Sequence, residues 1–335
     1  MRHRIPALVI SAALIIPTAL ATGGVALAQD DGQFCKGTNI VFFPGGTEGG
    51  GFETVVYNGA KAAEKALGPT VAYQWSDWLP ENMITQFQQA VATNPDGIAV
   101  MGHPGDDAFD PLIDDAVSKG IIVTVMNTEL QKAEAAHGPA GTGYVGAVLY
   151  DAGKALGNET IKRAGLQKGD KVFLWGLESQ AGRGQRTQGI HDALNDAGMN
   201  VIYLEIDNAT NADPSAGIST FTGMASANPD LKAAIFDHGN VTSAAQSYLE
   251  AAGIKPEALY VSGFDLSPAT VSAVQSGYVD LVIDQQQWLQ GFMGVLQICL
   301  AHNYGFSGLF VNTGGGFVDA SNIDVIAPLV AQQIR

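Results

Sequence analysis

Residues 97–126, GIAVMGHPGDDAFDPLIDDAVSKGIIVTVM, contain two short apolar runs on either side of a longer mixed segment. The runs at 97–101 and 121–126 are rich in apolar and β-branched residues, which is typical of strands buried on both faces. The segment between them, at about 109–119, carries apolar residues at helical spacing. A strand, a helix and a second strand in this order predict parallel strands joined by a crossover helix.

The same alternation continues toward both ends of the chain and divides into two series near Gly141. Further strands are predicted at 39–43, 71–75, 143–145, 171–174, 200–204, 233–236 and 259–262. Further helices are predicted at about 54–67, 81–93, 151–163, 185–196, 217–227, 243–252 and 268–276. An apolar run at 279–283, a long stretch at 288–302 and a tail at 310–334 follow. We therefore expect an α/β protein with two similar lobes, each a doubly wound parallel sheet with helices on both faces.

Length and charge limit the possible functions. The 335 residues are more than most single cores hold and suit two domains of ordinary size. The chain has 17 Lys and Arg against 33 Asp and Glu, a formal net charge of −16. The acidic charge argues against nucleic acid as a partner, because phosphate binding needs a basic surface. We expect a monomer without a nucleic-acid partner.

The N-terminus has the pattern of an export signal. Arg2 and Arg4 precede an almost wholly apolar stretch at 7–20, and small residues surround position 28. A membrane anchor is the alternative, but the apolar core is shorter than the ~20 residues that span a bilayer. The sequence thus predicts a signal peptide at residues 1–28, cleaved after Ala28, and a soluble protein in the periplasm.

Two cysteines, Cys35 and Cys299, remain in a chain expected to reach an oxidising compartment. A disulfide between them is one possibility, and two buried free thiols are the other. A metal site is not expected from two widely separated cysteines and six histidines.

Polar and aromatic side chains follow most of the predicted strands. Ligands of open parallel sheets bind outside the carboxyl ends of the strands, so these positions are candidates for a site. Carboxylates, amides and guanidiniums suit vicinal hydroxyl groups, and aromatic rings cover the C–H faces of a sugar or sugar alcohol. For a single Asp or Asn, capping of the next helix remains the alternative. The candidate ligand-binding residues are Phe52, Glu53, Trp78, His103, Asn127, Arg183, Arg186, Asp237, Asn240, Asp265 and Gln285.

Nucleotide binding and catalysis are disfavoured. The glycine-rich segment GGTEGGG at 45–51 has neither the Lys–Ser/Thr pair of a phosphate loop nor the spacing of a dinucleotide fingerprint. Glu48 and Glu53 would also repel phosphates. No G-x-S-x-G motif and no Cys–His pair at neighbouring strand ends is present. We expect a protein that is not an enzyme and that uses no cofactor.

These residues resemble a known family over essentially the whole predicted mature chain. The matching segments are Phe52 ahead of NGA at 58–60, VTVMN at 123–127, GRGQR at 182–186 before Gly189, AIFD at 234–237, VSGFD at 261–265, IDQ at 283–285 and TGG at 313–315 with Asn322. In this order and spacing they resemble the ribose- and galactose-type periplasmic binding proteins, the type I solute-binding proteins of ABC sugar importers.

The resemblance implies roles for some of the candidates. Phe52 would stack on a sugar ring, and Asn127 and Asp265 would bind hydroxyl groups from opposite sides. Gln285 would lie at a hinge crossing, and one arginine, Arg183 or Arg186, would clamp the ligand. The chain departs from many relatives at Glu53, where they carry a second aromatic residue. A carboxylate there could add a hydroxyl contact.

The resemblance also implies a three-strand hinge and a lobe division. The N-terminal lobe would comprise residues 29–128 and 285–312, and the C-terminal lobe residues 129–284 and 313–335. This division places Cys35 and Cys299 in one lobe, which favours the disulfide. The implied function is binding of a monosaccharide or small polyol by hinge closure, followed by docking on a membrane permease. A receptor for a furanosyl autoinducer or a chemotaxis ligand is the alternative function on the same fold.

Overall fold

A computed structural model of the chain describes residues 33–335. The predicted signal peptide lies outside the described residues. Among residues 33–335, no helix has both the length and the apolar character to cross a membrane.

Strands and helices alternate along the described chain, as the sequence predicts. The strands are β1 (Asn39–Gly45), β2 (Thr70–Trp75), β3 (Gly97–Met101), β4 (Ile122–Met126), β5 (Gly143–Gly146), β6 (Lys171–Gly176), β7 (Asn200–Glu205), β8 (Leu231–Phe236), β9 (Tyr260–Phe264), β10 (Leu281–Asp284), β11 (Phe310–Asn312) and β12 (Gly316–Val318). The helices are α1 (Gly51–Leu67), α2 (Pro80–Ala92), α3 (Asp106–Ser118), α4 (Gln131–His137), α5 (Leu149–Ala164), α6 (Gln185–Asp196), α7 (Asn208–Ala212), α8 (Ile218–Ala227), α9 (Gly239–Ser243), α10 (Ala245–Ala251), α11 (Pro268–Gln275), α12 (Gln287–Tyr304) and α13 (Ile323–Ala331).

The strands form two six-stranded sheets. Their orders are β11-β5-β4-β3-β1-β2 and β12-β10-β9-β8-β6-β7. Every neighbouring pair is parallel except β10 and β12, which are antiparallel. The unit at 97–126 is confirmed, with Ile98 of β3 opposite Val123 of β4. The predicted fold class, two doubly wound α/β lobes, is therefore confirmed.

One strand lies in a different sheet from the one expected. The strand predicted at 143–145 was assigned to the second series, but β5 pairs with β4 in the first sheet. Its glycines permit this position. A Cβ on Gly146 would lie 2.8 Å from the backbone of Asn127, and one on Gly143 would lie 2.7 Å from the backbone of Leu309. The assignment was wrong because the turn at Gly141 interrupts the alternation along the sequence, whereas the strand after the turn still pairs with the first sheet.

The chain passes between the two sheets three times. The passages follow β5, β10 and β11, at residues 147–148, 285–286 and 313–315. The lobe division implied by the resemblance puts these passages near residues 128, 285 and 312. The first comes after residue 146 instead of near residue 128, because β5 belongs to the first sheet.

Each lobe contains a helix pair packed through glycines. A Cβ on Gly59 of α1 would lie 1.9 Å from a backbone oxygen of α12, and one on Gly291 of α12 would lie 1.9 Å from a backbone oxygen of α1. In the second lobe, Gly153 of α5 and Gly189 of α6 meet in the same way, at 2.0 and 2.1 Å. Only residues without a side chain allow backbones to approach this closely.

The disulfide between Cys35 and Cys299 is present, with a Cα–Cα distance of 5.4 Å. It joins the segment before β1 to the second half of α12. Both residues lie in the core of the first lobe. The possibility of two free thiols is thereby eliminated.

Candidate ligand-binding site

A cavity of about 410 Å³ lies between the lobes, at the carboxyl ends of the strands of both sheets. It is lined by Gly51, Phe52, Glu53, Trp78, His103, Asn127, Arg183, Arg186, His238, Gly239, Asn240, Ser243, Asp265, Leu266, Ser267, Pro268, Ala269, Gln285 and Gln287. Every candidate residue from the sequence except Asp237 lines this one cavity. Their contact with a ligand stays a prediction.

The lobes touch at the edge of the cavity. An added Cβ on Gly105, after β3, would lie 3.3 Å from the Cβ of Ala181, after β6. An added Cβ on Gly182 would lie 2.7 Å from Cγ2 of Thr128. The structure therefore shows the lobes closed over the cavity.

Aromatic rings form one wall of the cavity, on the first lobe. The Phe52 and Trp78 rings meet edge to face at 5.7 Å, and the Trp78 and His103 rings lie 4.9 Å apart. Trp78 has a φ of 56°, a conformation that a bulky residue adopts only when its surroundings enforce it. The wall presents flat apolar faces, which suit the C–H face of a ring or a polyol chain.

The glycine-rich loop closes around Glu53. An added Cβ on Gly50 or Gly46 would lie 1.8 or 2.2 Å from Oε1 of Glu53. The same oxygen accepts a hydrogen bond from the backbone N–H of Thr47 at 3.1 Å. Burial raises the pKa of Glu53 above its usual value, although N–H groups of its own backbone, of the Thr47 backbone and of the Trp78 side chain donate to it and act in the opposite direction. The loop glycines therefore make room for this carboxylate.

A chain of amide and carboxylate groups connects the two lobes beneath the cavity. The Asn127 amide donates to Oε1 of Gln285 at 3.4 Å, and the Gln285 amide donates to Oδ1 of Asp265 at 2.7 Å. Asn127 and Asp265 follow β4 and β9, and both have positive φ values, 60° and 69°. Asn and Asp tolerate this conformation better than other non-glycine residues. Burial raises the pKa of Asp265 to about 6.

Arg183 and Arg186 both line the cavity, and both contact Asp237. Arg183 Nη1 lies 3.1 Å from Oδ2 of Asp237, and Arg186 Nε lies 2.6 Å from Oδ1. The Thr187 hydroxyl also donates to this carboxylate. Arg186 additionally lies 4.0 Å from the ring centroid of Phe264, which fixes the plane of its guanidinium. The choice that the sequence leaves open, Arg183 or Arg186, is therefore between two residues at the same wall.

The placement of Asp237 corrects the sequence prediction. Its side chain is 0% exposed and lies behind the arginines, outside the cavity lining. Burial acts to raise its pKa, but the positive charges of Arg183 and Arg186 outweigh burial and lower it. A carboxylate whose oxygens are occupied by two guanidiniums and a hydroxyl orients the arginines and does not face a ligand.

Two histidines at the cavity are held in the neutral form. Burial, followed by the charges of Arg183 and Arg186, lowers the pKa of His103 well below its usual value. The same causes lower the pKa of His238 to about 3. His238 Nδ1 accepts a hydrogen bond from the backbone N–H of Asn240 at 3.2 Å, and this bond requires the neutral ring.

The sequence prediction missed four polar residues of the lining, His238, Ser243, Ser267 and Gln287. His238 directly follows Asp237, so its place at a strand end was a usable signal. Gln287 is 1% exposed, donates to Asp265 at 3.1 Å, and its Oε1 has no hydrogen-bond partner. It lies in the run of three glutamines at 285–287, and nothing in that run distinguishes it from Gln286.

Comparisons with known proteins agree with this architecture. The family described as "Periplasmic binding protein domain" matches residues 40–301. The xylose/arabinose-binding protein XylF of Sulfolobus acidocaldarius is 28% identical over 75% of this chain and 64% of its own length. The D-ribose/D-allose-binding protein of Pseudomonas aeruginosa is 26% identical over 64% of this chain and 65% of its own length. The matched part of the chain thus spans slightly less than two thirds of these two relatives.

Solved structures share the fold. A carbohydrate transporter from Acidothermus cellulolyticus in complex with myo-inositol aligns with a TM-score of 0.76, at 24% identity, over 89% of this chain and 99% of that chain. A solute-binding protein from Burkholderia graminis in complex with D-arabinose aligns with a TM-score of 0.75, at 20% identity, over 86% and 97%. The family match extends over most of the described chain and covers the strands of both sheets except the edge strands β11 and β12. The chain belongs to the periplasmic binding protein domain family.

Proposed function

We propose that this chain is the extracytoplasmic solute-binding component of an ABC importer and that it binds a monosaccharide or a small sugar alcohol. The observation that carries the proposal is the enclosed cavity, where an aromatic wall faces carboxylate, amide and guanidinium groups from both lobes. Such a lining offers both acceptors and donors to vicinal hydroxyl groups. Relatives named for xylose, arabinose, ribose and allose binding support the same ligand class.

The proposed mechanism is closure about the three passages between the sheets. We take residues 33–147 and 286–313 as the first lobe and the remaining described residues as the second. The ligand contributes differential affinity for the closed state, because only closure brings Phe52 and Asn127 into one cavity with Arg183 and Asp265. The closed pair of lobes would then dock on a membrane permease.

The N-terminal sequence and the acidic charge support the proposed location and partners of the protein. The chain is exported, loses its signal peptide near Ala28, and acts in the periplasm as a monomer without cofactor, metal or nucleic acid. It is not an enzyme.

A thermal-unfolding screen of the purified protein against sugars and polyols tests the proposal. A ligand at 100 times its Kd stabilises the protein by about 2.7 kcal/mol. The Arg183→Ala variant is expected to lose that ligand-dependent increase, whereas Lys168→Ala, at a residue that does not line the cavity, is expected to keep it. Stabilisation by no carbohydrate, or a co-purified furanosyl signalling molecule identified by mass spectrometry, would contradict the proposal.

A further inference from the structure

The cavity contains two carboxylates in contrasting surroundings. Asp265 accepts hydrogen bonds from the amides of Gln285 and Gln287, at 2.7 and 3.1 Å. The charges of Arg186 and Arg183 also stabilise its ionised form. Positive charge on the second lobe therefore already compensates Asp265.

Glu53 has no such compensation. Its side chain is buried, with the residue 5% exposed. The hydrogen bonds that it accepts come from neutral N–H groups, those of the Thr47 backbone, its own backbone and the Trp78 side chain. Among residues 33–335, no lysine, arginine or histidine forms an ion pair with Glu53. The charge of Asp77, which also acts on Glu53, is negative and raises its pKa further.

The two arginines of the cavity do not neutralise the charge of Glu53. Arg183 and Arg186 lie on the opposite lobe, and each contacts Asp237. The lining contains no lysine. A buried carboxylate without a cation is costly in free energy, so this position favours an occupant that brings positive charge.

A second acceptor in the lining also lacks a donor. Gln287 Oε1 is buried and has no hydrogen-bond partner. Glu53 and Gln287 Oε1 are therefore two acceptors of the lining that no cation of the protein serves, whereas the two arginines supply donors. A primary ammonium group has three donors and no acceptor, so it suits such acceptors.

We propose that the natural ligand carries a basic amino group that pairs with Glu53, so that the ligand is an amino sugar or an amino polyol. Its hydroxyl groups face the arginine wall, and its ring or chain packs on Phe52. This inference rests on the proposed function and makes the ligand class more specific.

Matched ligand pairs test the inference by titration calorimetry at pH 7. The pairs are D-glucosamine with D-glucose, and amino-deoxy-inositol with myo-inositol. The wild type is expected to bind the amino member of at least one pair tenfold more tightly or better. Glu53→Gln is expected to lose at least tenfold in affinity for that member, and the ratio of affinities between the two members of the pair is expected to fall below threefold.

Two variants serve as controls. Glu48→Gln removes a carboxylate from the exposed part of the same loop and is expected to leave the preference unchanged. Glu53→Asp keeps the charge and is expected to retain part of the preference, which separates loss of charge from loss of folding.

The possible results separate a failure of the amino-group proposal from a failure of the proposed sugar-binding function. Tight binding of a neutral member with no preference for its amino partner overturns the inference and leaves sugar binding intact. A preference that survives in Glu53→Gln also overturns it. Binding of neither member of any pair, in a screen where no other carbohydrate stabilises the protein, overturns both.

Discussion

Asp237 determines where the two cavity arginines lie, although it does not reach the cavity. Its carboxylate contacts Arg183 at 3.1 Å and Arg186 at 2.6 Å in a fully buried setting. Removing one partner of a buried ion pair leaves an uncompensated charge, at a cost of about 3–5 kcal/mol. Asp237→Asn is therefore expected to lower the free energy of unfolding by about that amount, measured by urea denaturation, and to weaken ligand binding.

Asp230 provides the matched control for this substitution. It pairs with Lys171 at 2.8 Å, but the pair is exposed. Solvent screens such pairs, so Asp230→Asn is expected to leave the urea midpoint unchanged. Equal midpoints for Asp237→Asn and the wild type would show that the arginines do not depend on Asp237.

His238 makes stability depend on pH. The folded protein lowers its pKa to about 3, whereas the unfolded chain titrates near the usual value of about 6.5. Between these values the unfolded state binds more protons, so the contribution of His238 is present above pH 6.5 and is lost as pH falls. Relative to His238→Asn, the wild type is expected to lose about 2 kcal/mol of unfolding free energy between pH 6.5 and pH 5.

The comparison with His238→Asn separates the effect of His238 from that of groups whose contribution to stability changes with pH in the opposite direction. The pKa of Asp265 is raised by burial to about 6, so Asp265 stabilises the fold as pH falls and opposes the histidines. Asparagine keeps a side-chain acceptor at the start of α9, where His238 accepts from the Asn240 N–H. Urea denaturation of both proteins at several pH values provides the difference, and parallel pH curves would contradict the assignment.

At the level of elements, glycines decide how closely the paired helices approach. Gly153 of α5 lies against the backbone of Arg186 in α6, where an added Cβ would be 2.0 Å from the carbonyl oxygen. Gly153→Ala is therefore expected to push the helices apart, lower stability by about 1–3 kcal/mol and displace Arg186 from the cavity. Calorimetric titration with any ligand that binds the wild type is expected to show a reduced affinity.

Gly223 in α8 is the control for that substitution. An added Cβ there has no neighbour within 4 Å, and alanine favours helix over glycine by about 0.5–1 kcal/mol. Gly223→Ala is thus expected to raise stability and leave affinity unchanged. If both alanine variants behave alike, the close packing of α5 on α6 does not position Arg186.

The long and buried elements were predictable from sequence, and the short exposed ones were not. Strands such as β3 and β4 are continuous apolar runs, because helices cover both of their faces. The six missed elements, α4, α7, α9, β11, β12 and α13, have between three and nine residues each. Which glycines face a partner helix depends on tertiary packing, and a single sequence does not contain that information.

The candidate site was predictable because of the topology of parallel sheets. Residues that follow strands converge at one edge, so Phe52, Asn127 and Asp265 meet although they are far apart in sequence. The same rule cannot separate a side chain that faces the cavity from one that lies behind it. Asp237 and Asn240 follow the same strand, β8, yet only Asn240 lines the cavity. The direction of each side chain is set by its partners.

At the scale of the whole molecule, the contact between the lobes limits closure. Gly182 follows β6 in the second lobe and faces Thr128 of the first, where an added Cβ would lie 2.7 Å from Cγ2. The two residues approach because the lobes are closed, so a methyl group at 182 opposes closure specifically. We expect Gly182→Ala to weaken ligand affinity by about tenfold, equivalent to ~1.4 kcal/mol, without lowering the stability of the ligand-free protein.

Thr128→Ser tests whether the clash with Thr128 Cγ2 causes the loss of affinity. The substitution removes Cγ2 and keeps the hydroxyl that contacts His103 Nδ1 at 3.4 Å. In the double variant the added and removed methyl groups offset each other, so affinity is expected to recover. Titration calorimetry of the four proteins gives the coupling between the two sites, and small-angle scattering with and without ligand reports closure. A double variant that binds as weakly as Gly182→Ala would show that the loss arises within the second lobe and that the contact with Thr128 does not govern closure.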